Sequence, residues 1–188
     1  TLMPLPQSET DPWLQWHFGN GFVDPDGQVV VDVVRYADFQ TNQFLKEVPS
    51  GKPETDAFGT LWRLRVNPQT ATVTEAIPLS DHTCEFPTIN PNEVGQPSRY
   101  AYMAARSNQA QRTDVFDAIA CYDHKLGEMT LADLGGQRYP SEPIFAPHPQ
   151  QPERGWILSV VYDAKSHTSE VWIFDSQGLG DGPICRLA

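Results

Sequence analysis

The stretch LWRLRVNPQT (residues 61–70) alternates large apolar and polar side chains and then runs into a turn. Alternation with a period of two is typical of a half-buried β-strand. The pattern recurs as IACYDHKLGE (119–128) and VWIFDSQGLG (171–180). The aromatic anchors of the three copies, Trp62, Tyr122 and Trp172, lie 60 and 50 residues apart. A repeat of this length predicts one supersecondary unit per copy.

Outward from these strands, the chain divides into three groups of four strand-like segments, over residues 14–80, 81–136 and 137–188. Four strands per unit at this period predict the blades of a β-propeller, and three blades do not close a ring. We find no sustained helical periodicity longer than a turn or two. The sequence therefore predicts one all-β domain over residues 1–188, built of about three four-stranded propeller blades in an incomplete ring.

Each group opens on a short apolar segment that holds one residue suited to a metal site. The segments are WHFGNGF (16–22) with His17, CEFPTINP (84–91) with Glu85 and YPSEPIF (139–145) with Glu142. The first strand of a blade lies nearest the propeller axis, so these three side chains are predicted to converge there. An imidazole nitrogen is a good iron ligand, and a carboxylate on a neighbouring blade fixes the tautomer by accepting from the other ring nitrogen.

Together with VDPDG, SRYAY and GWILSVVYD, these motifs resemble the consecutive signatures of the carotenoid cleavage oxygenases, over about residues 16–187. The resemblance implies a seven-bladed propeller that holds a ferrous iron by four histidines, with glutamates supporting them. It implies that His17 is one of the four ligands and that Glu85 and Glu142 are supporting carboxylates. We expect Glu85 to support His17 because their blades are adjacent, and Glu142 to support a ligand beyond residue 188.

The reaction that the resemblance implies is oxidative cleavage of a conjugated carbon–carbon double bond by dioxygen, giving two carbonyl products. The implied substrates are carotenoids, apocarotenoids or stilbenes, which the protein aligns beside the iron. Four aromatic residues flank the site residues and are candidates for lining a substrate tunnel, although aromatic residues beside a buried strand more often belong to the core. They are Phe18, Phe22, Phe86 and Phe145.

The chain begins at Thr1 without an initiator methionine and stops within the strand-like GPICRLA. We therefore expect it to be part of the carboxy-terminal half of a longer enzyme. Because it carries one of the four expected histidine ligands, we expect this piece alone to be inactive.

Charge and composition exclude several classes of partner. The formal net charge is −11, with 13 Lys and Arg against 24 Asp and Glu, and nucleic-acid binding needs clustered cations. The sequence contains no run of eighteen apolar residues, so it predicts no membrane-spanning helix. We expect a cytoplasmic protein, and any peripheral membrane contact to come from regions outside this chain. The three cysteines, Cys84, Cys121 and Cys185, lie in apolar stretches and are predicted to be buried thiols.

Less specific interpretations stand beside these. The parent protein is alternatively a non-catalytic propeller, either a binding module or a family member without metal. The remaining histidines, at positions 82, 124, 148 and 167, lie in turn-like or proline-rich contexts and are predicted to be exposed. Arg99 is predicted to form a structural salt bridge. Asp24 and Asp26 are predicted to form a hairpin turn, because the later glutamate of a calcium-binding loop is missing.

Overall fold

The computed structural model describes residues 12–107 and 115–188. Within them the chain forms one short helix and thirteen strands. In chain order the elements are β1 (Phe18–Val23), β2 (Val29–Tyr36), α1 (Gln40–Glu47), β3 (Gly59–Asn67), β4 (Thr72–Pro78), β5 (Cys84–Thr88), β6 (Tyr100–Ala105), β7 (Ala118–Asp123), β8 (Glu128–Asp133), β9 (Arg138–Pro140), β10 (Ile144–His148), β11 (Gln151–Asp163), β12 (Thr168–Asp175) and β13 (Cys185–Leu187). Single turns of 3₁₀ helix occupy Val48–Ser50, Pro91–Glu93 and Leu179–Asp181.

The strands form three antiparallel sheets that follow chain order, as the sequence predicted. The strand orders are β1-β2-β3-β4 in blade 1, β5-β6-β7-β8 in blade 2 and β10-β11-β12-β13 in blade 3. The extra strand β9 pairs with β11 alongside β10. The prediction of an all-β chain with three four-stranded propeller blades is confirmed.

Blade 2 lies between the other two blades, and its middle strands show this in their sequence. Nearly every residue of β6 (YAYMAA) and β7 (AIACYD) is buried, as expected of strands covered on both faces. Side chains alternate between the faces, so Ala101 and Met103 pack toward blade 1 while Tyr102 packs toward blade 3. Small alanines allow the sheets to approach closely on both sides.

The predicted hairpin turn between β1 and β2 is confirmed. The Asp24 carboxylate accepts hydrogen bonds from the backbone N–H of Asp26 at 3.0 Å and of Gln28 at 2.9 Å. Gly27 has φ +76°, a conformation that glycine adopts without steric cost. The predicted salt bridge of Arg99 is also present, with Asp123 at 2.8 Å.

Helix α1 interrupts blade 1 between β2 and β3, and its eight residues, of which Thr41 and Phe44 are buried, agree with the expectation of no helical periodicity longer than about two turns. Two expectations about single residues were wrong. The His124 side chain is 7% exposed, because the turn after β7 packs against blade 1. Cys185 is exposed, because the short strand β13 has no buried residue.

Candidate functional site

His17 and Glu85 lie together where the first strands of blades 1 and 2 begin. The backbone carbonyl of His17 accepts from the Val34 N–H at 3.2 Å, which holds His17 against β2 just before β1 starts. His17 Nδ1 lies 2.7 Å from Glu85 Oε2, across 68 residues of sequence. An ionised carboxylate only accepts, so Nδ1 carries the proton and Nε2 keeps its lone pair. This is the tautomer that a metal ligand requires.

Glu85 is itself fixed by three donors. Besides His17, the backbone N–H of Phe86 donates to Oε2 at 2.6 Å and the Tyr36 hydroxyl donates to Oε1 at 3.2 Å. Burial raises the pKa of the Glu85 carboxyl, and these hydrogen bonds act in the opposite direction. Phe86 has φ +59°, a strained conformation for a residue with a Cβ, of the kind that clusters at functional sites.

All three predicted site segments coincide with an irregularity of the first strand. In blade 1 the register shifts between Phe18 and Gly21, and in blade 2 it shifts between Glu85 and Thr88. In blade 3 the strands β9 and β10 both pair with β11, and residues 141–143 between them face only residues 159–160. Each irregularity lies within one or two residues of the predicted site residue or includes it, and bulges of this kind are common next to functional sites.

Glu142 stays a prediction as the support of a ligand beyond residue 188. Its side chain is exposed, unlike that of Glu85, which is 3% exposed. Of its apolar neighbours, Pro143 and Phe145 are buried and Ile144 is 64% exposed.

A cavity of about 210 Å³ opens beside the His17–Glu85 pair. Besides His17 and Glu85, its wall is mostly aromatic and apolar, with the polar Thr41 and Arg106; the aromatic and apolar residues are Trp16, Tyr36, Phe44, Leu45, Ala57, Phe86 and Phe116. The Phe86 ring lies 5.0 Å from the imidazole of His17. The arrangement places an apolar chamber directly against the His17 imidazole.

The four predicted tunnel aromatics divide in this structure. Phe86 lines the cavity. Phe18 is 60% exposed, and Phe22 packs beneath the guanidinium of Arg63. Phe145 is buried in the core between blades 2 and 3, which is the alternative that the sequence left open. Tyr36, Thr41, Phe44 and Phe116 at the cavity were not singled out from the sequence, because neither their spacing nor their neighbours distinguish them from core residues.

The matching family model is that of the retinal pigment epithelial membrane protein, over residues 3–188. The chain belongs to this family. The predicted resemblance to the carotenoid cleavage oxygenases is thereby confirmed.

Known family members agree in sequence and in fold. The apocarotenoid-15,15'-oxygenase of Synechocystis sp. is 31% identical over 183 residues, which are 92% of this chain and 35% of that protein. The carotenoid 9,10(9',10')-cleavage dioxygenase 1 of Phaseolus vulgaris is 26% identical over 137 residues, 66% of this chain and 25% of that protein. The structure of cobalt-substituted Synechocystis apocarotenoid oxygenase matches with a TM-score of 0.77 at 30% identity, over 93% of this chain and 36% of that chain. The chain thus spans about a third of the length of its Synechocystis relative.

A metal in a relative raises the question of which described residues could bind one. The cobalt-substituted relative shows that a member of this family accepts cobalt. Within residues 12–107 and 115–188, no group of three His, Cys, Asp or Glu side chains lies close enough to hold a metal. A metal bound at His17 therefore needs further ligands from outside the described residues. No helix in the described part of the chain is long and apolar enough to span a membrane.

Proposed function

We propose that the protein carrying this chain is a non-haem Fe(II) dioxygenase that cleaves a conjugated double bond of a carotenoid or apocarotenoid. The observation that carries the proposal is the His17–Glu85 pair, with Nδ1 hydrogen-bonded and Nε2 available, at the wall of an aromatic cavity. The relatives named for cleavage of carotenoids and apocarotenoids support the choice of substrate. The overall change adds both atoms of dioxygen to the two carbons of the double bond and yields two carbonyl products.

The residues fit an iron site in their chemistry. An imidazole suits Fe(II), and a set of neutral ligands leaves coordination positions open. In this proposal His17 Nε2 holds the metal, while Glu85 accepts the Nδ1 proton and keeps the ring at one orientation. The bound iron supplies the chemistry of dioxygen. The remaining ligands lie outside the described residues.

The chain's own contribution to the reaction is positioning. The aromatic wall formed by Trp16, Phe44, Phe86 and Phe116 takes up an apolar conjugated segment and excludes water from it. Holding one double bond at a fixed distance from the metal converts an encounter in solution into a reaction within one complex. We further propose that the protein takes its polyene from an apolar phase through regions outside the described residues.

The first test is the metal content of the full-length protein and of its His17→Ala variant, both purified without oxygen. We expect about one iron per chain in the parent, on the family pattern of one metal site, and less than a tenth of that in the variant, because a lost ligand removes a coordinate bond. Turnover of an apocarotenal to two carbonyl products should be lost in parallel.

His148→Ala is the matched control for this test. His148 is partly buried against the Trp156 ring, 5.3 Å away, and lies outside the cavity. It should keep both iron and activity. Equal iron in the parent and in His17→Ala would contradict the proposal, and an iron-free parent would favour the non-catalytic propeller.

A further inference from the structure

Glu85 receives a hydrogen bond from a tyrosine that sequence analysis did not single out. Tyr36 ends β2 in blade 1, is 6% exposed and donates its hydroxyl to Glu85 Oε1 at 3.2 Å. The bond crosses from blade 1 to blade 2, as the His17–Glu85 bond does. One carboxylate in blade 2 is therefore held from two points of blade 1.

Helix α1 extends this contact away from the site. Thr41, in its first turn, is 4% exposed, and it lines the same cavity as Tyr36 beside Glu85. The Thr41 hydroxyl also accepts from Trp16 Nε1 at 3.4 Å. Trp16 precedes His17 in the chain, so the series of contacts starts and ends at neighbouring residues.

The donors and acceptors of this series fix its direction. An indole N–H only donates and an ionised carboxylate only accepts, while each hydroxyl has a single hydrogen to give. Trp16 therefore donates to Thr41, and Tyr36 donates to Glu85. Burial, and the neighbouring Glu85 charge after it, raise the pKa of Tyr36, so the phenol keeps the proton that it donates.

We propose that Tyr36 and Thr41 are positioning residues of the metal site, which fix the Glu85 carboxylate and through it the imidazole of His17. The inference rests on the proposed function, because it assigns these residues to the ligand that His17 would provide. It also gives helix α1 a role: of its eight residues, the two that are buried are Thr41 in this series and Phe44 in the cavity wall. The helix thus connects the metal ligand to the chamber beside it.

The test compares two buried tyrosines in the full-length protein. Tyr36→Phe removes the hydroxyl that reaches Glu85. Tyr102→Phe removes a hydroxyl that also crosses between blades, to the Ser176 carbonyl at 2.9 Å, but that belongs to the interface of blades 2 and 3. Both variants keep the ring, so they should lose similar amounts of stability, about 1 kcal/mol each.

The metal readouts separate positioning from stability. Loss of a group that orients a ligand typically weakens metal binding by about 10–100-fold. We expect Tyr36→Phe to release Fe(II) or Co(II) to a chelator faster by a factor in this range, and to shift the visible spectrum of the cobalt-substituted protein. Tyr102→Phe should match the parent in both readouts.

Thr41→Val and Thr41→Ser provide a second route that does not depend on the folding of Tyr36→Phe. Valine keeps the shape and removes the hydroxyl that accepts from Trp16 in the cavity wall shared with Tyr36, so it should shift the cobalt spectrum in the same direction by a smaller amount. Serine keeps the hydroxyl and should restore the parent spectrum.

Parent-like metal release and spectra in both Tyr36→Phe and Thr41→Val would overturn the inference. The proposed function fails separately, if His17→Ala retains its metal. Loss of metal in His17→Ala together with an unaffected Tyr36→Phe would leave the metal site in place and remove only the positioning role.

Discussion

The two interfaces between neighbouring blades are built differently. Blades 2 and 3 meet through an apolar cluster that includes Ile119, Phe145, Ile157 and Phe174. Two neutral polar contacts cross it, from Tyr102 to the Ser176 carbonyl at 2.9 Å and from Asn90 to the Pro152 carbonyl at 2.7 Å, and the Arg138 guanidinium donates to the Leu134 carbonyl at 3.1 Å. Among the described residues, no ion pair joins these two blades.

Blades 1 and 2 also share an apolar cluster, but charged groups interrupt it. On one face of β2 the side chains of Asp32, Val34 and Tyr36 follow one another, and all three are buried. Tyr36 reaches Glu85, and Asp32 pairs with Arg63 at 2.7 Å and faces His124 Nε2 at 3.5 Å. Val34 lies between the two polar groups in the apolar cluster.

The difference shows that the two interfaces contribute differently to the stability of the chain. Burying charged groups costs desolvation energy that their mutual attraction repays only in part, so an apolar interface of similar volume is often at least as stable. The interface of blades 2 and 3 is of this apolar kind. Blades 1 and 2 keep charged groups at the interface that carries the candidate metal ligand. We therefore attribute the buried Glu85 carboxylate beside His17 to the proposed metal site and not to stability.

Truncation of the apolar interface should have the largest effect on stability. Phe174→Ala removes a fully buried ring from the cluster between blades 2 and 3. We expect the free energy of unfolding, measured by urea titration, to fall by about 3–5 kcal/mol, because the transfer energy of the ring and a cavity term add.

Metal binding by the folded Phe174→Ala variant should be unchanged. Ile184→Ala in the same blade is the control, because Ile184 is 60% exposed, and it should cost less than about 0.5 kcal/mol. A metal site weakened by Phe174→Ala while the protein is still folded would show that the two interfaces are coupled and would break the comparison.

A substitution at the charged interface of blades 1 and 2 should lower the free energy of unfolding by less than Phe174→Ala does. Asp32→Asn leaves the Arg63 guanidinium without its carboxylate, and we expect a loss of about 2–3 kcal/mol in the same urea titration. This is below the 3–5 kcal/mol typical of a broken buried pair, because the Arg63 side chain is 23% exposed.

Asp175→Asn is the matched control, since Asp175 meets Arg154 at 3.5 Å with both side chains more than a third exposed. It should cost less than about 1 kcal/mol. An Asp32→Asn variant as stable as the parent would mean that the charged pair is energetically neutral here.

The same contrast separates what the sequence could predict from what it could not. Strand grouping followed from local alternation and from the repeated anchors Trp62, Tyr122 and Trp172. The meeting of His17 and Glu85 followed from the propeller rule that first strands converge, combined with the family resemblance. Both depend on regularities that each blade repeats.

Features that depend on a single contact between blades were not predictable. The segment YDHKLG reads as an exposed turn, and only the approach of Arg63, 61 residues away, buries His124. Tyr36 looks like the end of an ordinary buried strand until Glu85 is placed beside it. Helix α1 has two buried side chains and therefore no apolar periodicity to detect.

The smallest expected effect on the free energy of unfolding comes from a change of pH, which acts through His124. Its Nδ1 accepts from the Arg63 guanidinium at 3.1 Å, so the neutral ring carries its proton on Nε2, toward Asp32. Burial lowers the pKa of His124 below its ordinary 6.5; Arg63 acts in the same direction, and the charges of Asp32 and Asp123 oppose it. The Tyr122 ring packs edge-on against the imidazole, 5.0 Å away.

The sign of the effect follows from proton counting. Below about pH 6.5 the unfolded chain binds a proton at His124 that the folded chain does not, so stability falls as the pH falls. One such group changes the free energy of unfolding by at most about 1.4 kcal/mol per pH unit. Urea titrations at pH 7.5, 6.5 and 5.5 should therefore show a shallower decline in His124→Gln than in the parent.

His82→Gln is the reference for that comparison, since its ring is partly exposed beside Asp81 and it should keep the parent's slope. A parent and a His124→Gln variant that decline in parallel would mean that the folded chain accepts the proton at position 124. The Arg63 contact would then have to open, because a protonated Nδ1 cannot accept from a guanidinium. In that case the contact between Arg63 of blade 1 and His124 of blade 2 would open in acid while both blades stay folded.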